Sequence, residues 1–160
     1  MNEQLGISTL KVATHFFPFQ GVLRMTKWWE KEPVRFECQA DCFKCCIKPG
    51  VVHFDRGDIR KAADFLETSP AEFKKTYLTR DEDYWVLEVG QEGEPCTFLT
   101  EQGCGIHPAK PKQCSSYPFW RENMDSKFMW RLVGGFCPGI DIGPMVPVET
   151  IKSFLKKFSL

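Results

Sequence analysis

The stretch 37-ECQADCFKCC-46 decides how this chain is organised, because it puts Cys38, Cys42, Cys45 and Cys46 inside ten residues. A single buried cysteine behaves as a small apolar side chain. Eight in 160 residues, half of them bunched here, point to a shared task. The other four are Cys96, Cys104, Cys114 and Cys137, each beside turn formers: Pro95, Gly103 and Gly105, Ser115, and Pro138 with Gly139. Tight turns let thiolates and backbone N–H donors converge on one point, which is what a metal or cluster needs. A disulfide between the neighbours Cys45 and Cys46 is awkward on geometric grounds. Both on one metal would also be strained, so the doublet is expected to serve two purposes. Eight soft ligands in two groups suit two tetrahedral metals, or one cluster with spare thiols.

Composition sets the class. Apolar residues make 42% and charged residues 26% of the chain, ordinary for a globular protein, and 160 residues suit one domain. Twenty-one basic residues balance 21 acidic ones, so charge gives no reason to expect a nucleic-acid or anionic-membrane partner. The N-terminal stretch lacks a signal-peptide pattern. No run approaches the roughly 20 apolar residues of a membrane span. The expected setting is cytoplasmic, where thiols stay reduced, and that favours metal binding or catalysis over disulfides.

Periodicity predicts an α+β domain over residues 1–160. Asp55 with Asp58 reads as a capping box opening a helix over about 55–67, with Ile59, Ala62, Ala63 and Leu66 on one face. Ser69, Pro70 and Glu72 open a second over about 70–79, with Phe73, Thr76 and Tyr77 as its stripe. YWVLEV (84–89) reads as a strand bounded by GQEGEP (90–95); CTFL (96–99) and FMWRLV (128–133) read as further short strands. CGIHPAKPKQCSSYPF (104–119) is too irregular for a long helix. The tail, about 147–158, is a helix docking Ile151, Phe154, Leu155 and Phe158 while Lys152, Lys156 and Lys157 face solvent. In residues 1–36, FFPFQGVL (16–23) and KWW (27–29) read as strand or loop packed over the core.

Other chemistries fit less well. The spacing of Cys38, Cys42 and Cys45 equals that of radical S-adenosylmethionine enzymes, but Lys44 stands where those carry an aromatic. The chain is also too short for their partial barrel and lacks a β/α alternation. What survives is that this spacing can hold an iron–sulfur cluster. His15 and His53 read as packed residues. His107, three residues after Cys104, is the better ligand candidate, since imidazole joins thiolate in zinc sites. A Cys114–His107 nucleophile, its thiolate favoured by Lys110 and Lys112, lacks an oxyanion hole and an acid to orient the base. Arg121 and Arg131 read as surface or counter-charge residues, and Trp120 and Trp130 as core wall around the site.

Cys38-Gln-Ala-Asp-Cys42-Phe-Lys-Cys45-Cys46 resembles the cysteine signature of the YkgJ-type family of zinc- or iron-chelating domains. The Ser69-Pro-Ala-Glu-Phe73 helix start, CTFL, the 104–119 loop and Cys137-Pro-Gly139 extend the likeness over about residues 36–139. This chain has three residues between its first two cysteines where the family commonly has two. It has His107 where Tyr is frequent, and Lys110 where Arg is. The resemblance implies that Cys38, Cys42, Cys45, Cys46, Cys96, Cys104, Cys114 and Cys137 hold an iron–sulfur cluster or zinc; the departure from the family at His107 adds that residue as a further ligand or as a donor behind the ligands. Many cysteines with few histidines lean toward iron. The module is also distantly similar to part of the flagellin lysine N-methylases, which implies an alternative: redox or group transfer on a protein partner. No glycine-rich nucleotide loop accompanies it.

Overall fold

The computed structural model describes residues 26–39, 41–90 and 94–157. In chain order its elements are β1 (Arg35–Phe36), α1 (Lys44–Ile47), β2 (Gly50–Phe54), α2 (Arg56–Phe65), α3 (Pro70–Tyr77), β3 (Thr79–Asp81), β4 (Tyr84–Val89), β5 (Leu99–Thr100), β6 (Gly103–Cys104), α4 (Lys112–Ser116), α5 (Arg121–Met124), α6 (Lys127–Gly134), β7 (Ile140–Met145) and α7 (Val148–Lys157). Among the described residues they are joined by the 3-10 turns Trp28–Glu30 and His107–Ala109. The fold is α+β, with short antiparallel strands: β2-β4-β3 form one sheet, while β1 pairs β7 and β5 pairs β6.

The caps do what their residue types allow. Asp55 accepts the Asp58 N–H at 2.8 Å and Asp58 accepts the Asp55 N–H at 3.4 Å, a reciprocal box that starts α2. Ser69 accepts the Glu72 N–H at 3.1 Å. Glu72 does not return the bond; its carboxylate meets the Thr76 hydroxyl at 3.5 Å, so Thr76 faces solvent and drops out of the expected stripe. Ile59, Ala62, Ala63 and Phe73 are buried as the spacing requires.

Two apolar cores result. In the first, α2 and α3 cover the three-stranded sheet, and Phe73 lies between Phe54, Tyr77 and Phe98. The second gathers Trp29, Val34, Phe119, Met124, Trp130, Ile140 and Ile151. KWW thus does pack on a core through Trp29, whereas FFPFQGVL and His15 lie outside the described residues.

Some expectations change. FMWRLV is not a strand but most of α6, opened by Ser126, whose hydroxyl accepts the Met129 N–H at 3.2 Å. Trp130 and Val133 face the core while Phe128 and Leu132 stay 72% and 59% exposed. Apolar residues on both helix faces erase the 3.6 period and mimic a strand. Within CTFL only Leu99 is in a strand: Cys96 closes a turn with the Leu99 N–H at 2.8 Å. The 104–119 segment is irregular as expected, apart from the 3-10 turn and α4. No helix among the described residues is long and apolar enough to cross a membrane.

Candidate metal centre

The cysteines ride on short elements that carry them to the space between the two cores. Cys45 and Cys46 occupy α1, Cys104 lies in β6, Cys114 in α4, and Cys137 follows α6. Two backbone joints bring the distant cysteines to the 37–46 cluster. The Cys46 carbonyl accepts the Cys96 N–H at 2.7 Å, and the Gly139 carbonyl accepts the Glu37 N–H at 3.1 Å. The second joint explains the glycine of Cys-Pro-Gly: a Cβ on Gly139 would fall on the Glu37 carbonyl oxygen and within 2.9 Å of the Phe36 ring. The β5–β6 turn that presents Cys104 needs Gly103, whose φ is +111°.

Cys114 is positioned by neighbours that sequence reading missed. Buried Gln113 accepts the His53 N–H at 2.8 Å, contacts the His53 ring nitrogen at 3.2 Å and donates to the Val51 carbonyl at 3.0 Å. The Lys112 N–H donates to Asp58 at 3.2 Å, and its ammonium pairs with Asp55. The capping box of α2 therefore also holds the loop bearing Cys114. The adjacency of Gln113 and Cys114 was the one available signal, and an amide beside a thiol is too common to be read that way. His53 is hydrogen-bonded as expected, though half-buried rather than in the core.

The thiols face two cavities. One of about 230 Å³ has Cys45, Cys46, Cys96, Cys104 and Cys114 in its wall. A second, of about 410 Å³, has Cys38, Cys42, Cys45, Cys114 and Cys137, with His107 and Tyr117 beside them. Trp120 lines the first cavity and hydrogen-bonds the Gln113 carbonyl at 3.0 Å; Trp130 is not at the cysteines but deep in the second core. Arg121 and Arg131 are exposed.

A family model described as "Putative zinc- or iron-chelating domain" (CxxCxxCC) matches residues 37–138, a span containing all eight cysteines. The chain belongs to the CxxCxxCC family. No solved structure matches it. The donor set of this CxxCxxCC domain suits the chelating role in its chemistry: soft sulfurs facing shared space, with all eight thiols free. Among the described residues, no three His, Cys, Asp or Glu side chains are already drawn together around the position of a single ion.

Electrostatics at the CxxCxxCC cysteines follow from crowding thiols without a cation. Burial, then neighbouring sulfurs, push Cys114 up to about 12. Its exposed area opens onto the cavities, so protein still surrounds the sulfur. Burial likewise raises Cys38, Cys96 and Cys137, with Lys110 working against the shift at Cys38. Within the doublet the sulfurs stand 3.9 Å apart. The contact between the two sulfurs raises Cys45 and lowers Cys46. Tyr117 is raised by burial and then by Cys137. A bound cation reverses this logic, because it stabilises every thiolate around it.

Proposed function

We propose that this domain is a metal carrier whose eight cysteines are the ligands, and that the metal is iron in iron–sulfur form. The observation that carries the reading is the pair of sulfur-walled cavities of about 230 and 410 Å³. A water molecule takes about 30 Å³ and a bare ion less, so these spaces suit a multi-atom inorganic group better than a lone zinc. An all-sulfur donor set with few histidines agrees. Cys38, Cys42, Cys45, Cys46, Cys96, Cys104, Cys114 and Cys137 would hold the group. His107, exposed on the rim of the larger cavity, is an outer partner in this reading. In this reading the chain would shield the group and balance its charge through Lys44, Lys48, Lys61 and Lys110 in the walls.

Anaerobic purification with iron, zinc and sulfide analysis and an absorption spectrum tests this. Brown protein with iron and acid-labile sulfide is expected; colourless protein with stoichiometric zinc would discard the iron assignment and leave the ligand assignment standing.

A second reading, a redox or group-transfer module acting on a protein partner, draws support from the larger cavity. Its non-sulfur walls, His107, Lys110 and Tyr117 among them, leave concave space beside the cysteines. Voltammetry checks the redox form: a reversible one-electron couple supports it, and a silent centre removes it.

A further inference from the structure

Resting on the metal-chelation reading, we propose that the eight cysteines form two separate four-thiol centres: Cys46, Cys96, Cys104 and Cys114 in one, and Cys38, Cys42, Cys45 and Cys137 in the other. The vicinal doublet is thereby split between them.

The cavity walls carry the division. Cys46, Cys96 and Cys104 line only the smaller cavity, and Cys38, Cys42 and Cys137 line only the larger. Cys45 and Cys114 lie in both walls. Three exclusive thiols on each side leave each centre one short of the four that tetrahedral zinc or a cubane cluster takes. Two shared thiols supply one apiece.

Anchoring decides which goes where. Gln113 hydrogen-bonds α4 to the backbone of β2 and so links Cys114 to the first core, against which Cys96 and Cys104 pack, although α4 also packs against α7. Cys137 packs against the second core, and the Glu37–Gly139 joint fixes Cys38 beside it. Beyond Cys45, its partner in the doublet, Cys46 has Cys96, Cys104 and Cys114 as its charged neighbours, whereas Cys137 has Cys42, Cys38 and Cys45. Cys45 also influences Cys96 and Cys114, as expected of the residue nearest the divide.

The doublet permits the split. Consecutive residues on a helical turn do not face the same way. Their sulfurs, 3.9 Å apart, are well beyond the roughly 2.05 Å of a disulfide. Cations are also divided: Lys48 lines the smaller cavity, Lys44 and Lys61 the larger, and Lys110 both. Each four-thiolate centre, anionic around a divalent metal, thus has positive charge at its wall.

The test is metal stoichiometry by elemental analysis and native mass spectrometry on the anaerobically purified full chain. Cys46→Ser and Cys104→Ser are each expected to lose about half of the bound metal and to retain the same remaining centre. Cys45→Ser and Cys38→Ser should lose the complementary half, and Cys38→Ser combined with Cys104→Ser should lose all of it. If any single variant loses everything, or if variants of only one set lose metal, there is one centre and the division is wrong. Wild-type protein without metal would instead sink the chelation reading itself. Should the variants fail to fold, graded chelator on wild-type protein decides the matter. Two centres pass through a half-loaded mass species, and one centre does not.

Discussion

The two cores are assembled by different means. The first rests on regular secondary structure: a five-residue ladder between β2 and β4, a reciprocal cap, and helices of ten and eight residues. The second has a two-residue β1, a four-residue α5, an eight-residue α6 and the ten-residue α7. It is tied instead by indoles: Trp28 donates to the Met124 carbonyl and Trp130 to the Asp141 carboxylate, each at 2.9 Å. Phe119 stacks on Phe154 with ring centres 5.2 Å apart. Helices of this length are marginal alone in either core, but the second core has only the two-pair β1–β7 ladder to support them, so it leans more on side-chain ties. The contrast points to a structural task for the cysteines beside any chemical one, because Cys96 and Cys104 on the first core and Cys137 on the second line two cavities that share Cys45 and Cys114 in their walls.

The strongest way to break this contrast is to remove the metal. Structural zinc sites contribute on the order of 10 kcal/mol to folding. Chelation under reducing conditions is therefore expected to cost most of the stability of the second core. Hydrogen exchange should show α5, α6 and the β1–β7 pair losing protection well before β2 and β4. Equal loss in both cores would refute the asymmetry.

Next comes Phe73→Ala, which empties a fully buried site among three aromatic rings. It should cost about 3–5 kcal/mol in urea unfolding, the range for large aromatic truncations. A loss under about 1 kcal/mol would mean that the first core collapses around the gap and is less rigid than its ladder implies.

Gln113→Ala sharpens the link between the first core and the cysteines. It leaves the His53 N–H and the Val51 carbonyl without their partner, for about 1–3 kcal/mol. Accessibility of Cys114 to a thiol reagent in metal-free protein should rise while that of Cys38 stays unchanged. If both rise together, α4 is not what positions Cys114.

The smallest effect is electrostatic. Burial would raise Asp55, but Lys112 and the N–H groups of Asp58 and Gly57 outweigh it and hold the carboxyl below its usual 3.8. A depressed folded value means stability that is present above pH 3.8 and lost as pH falls through the lower folded value. Asp55→Asn should make the fall in melting temperature below pH 3.8 shallower than in the wild type. Parallel acid profiles would show that the Asp55–Lys112 pair adds nothing, which is common for exposed ion pairs.

The sequence was legible where the local rules are strong. Asp55, Asp58, Ser69 and Pro70 each act within one turn, so α2 and α3 could be placed to within a few residues. The tail helix was plain from the spacing of Ile151, Phe154 and Leu155, and YWVLEV from its run of aromatic and aliphatic residues between turn formers. α6 was hidden by Phe128 and Leu132, apolar residues on its outer face. β2 and β7 went unrecognised because long-range pairing defines them: β2 with a strand over thirty residues away and β7 with Arg35 and Phe36. The importance of the cysteines was visible from their crowding. Their grouping was not, since it depends on the Cys46–Cys96 and Glu37–Gly139 backbone joints.

X-ray absorption at the metal edge of the anaerobically purified protein tests most directly whether cysteines from both cores are the ligands. The expected first shell is sulfur alone, about 2.3 Å from the metal for thiolate ligation. In Cys104→Ser and Cys137→Ser, one cysteine from each core, the edge height per protein should fall by about half while the metal that stays keeps its sulfur shell. A first shell of nitrogen and oxygen, or an edge height per protein that neither substitution changes, would contradict ligation by these cysteines.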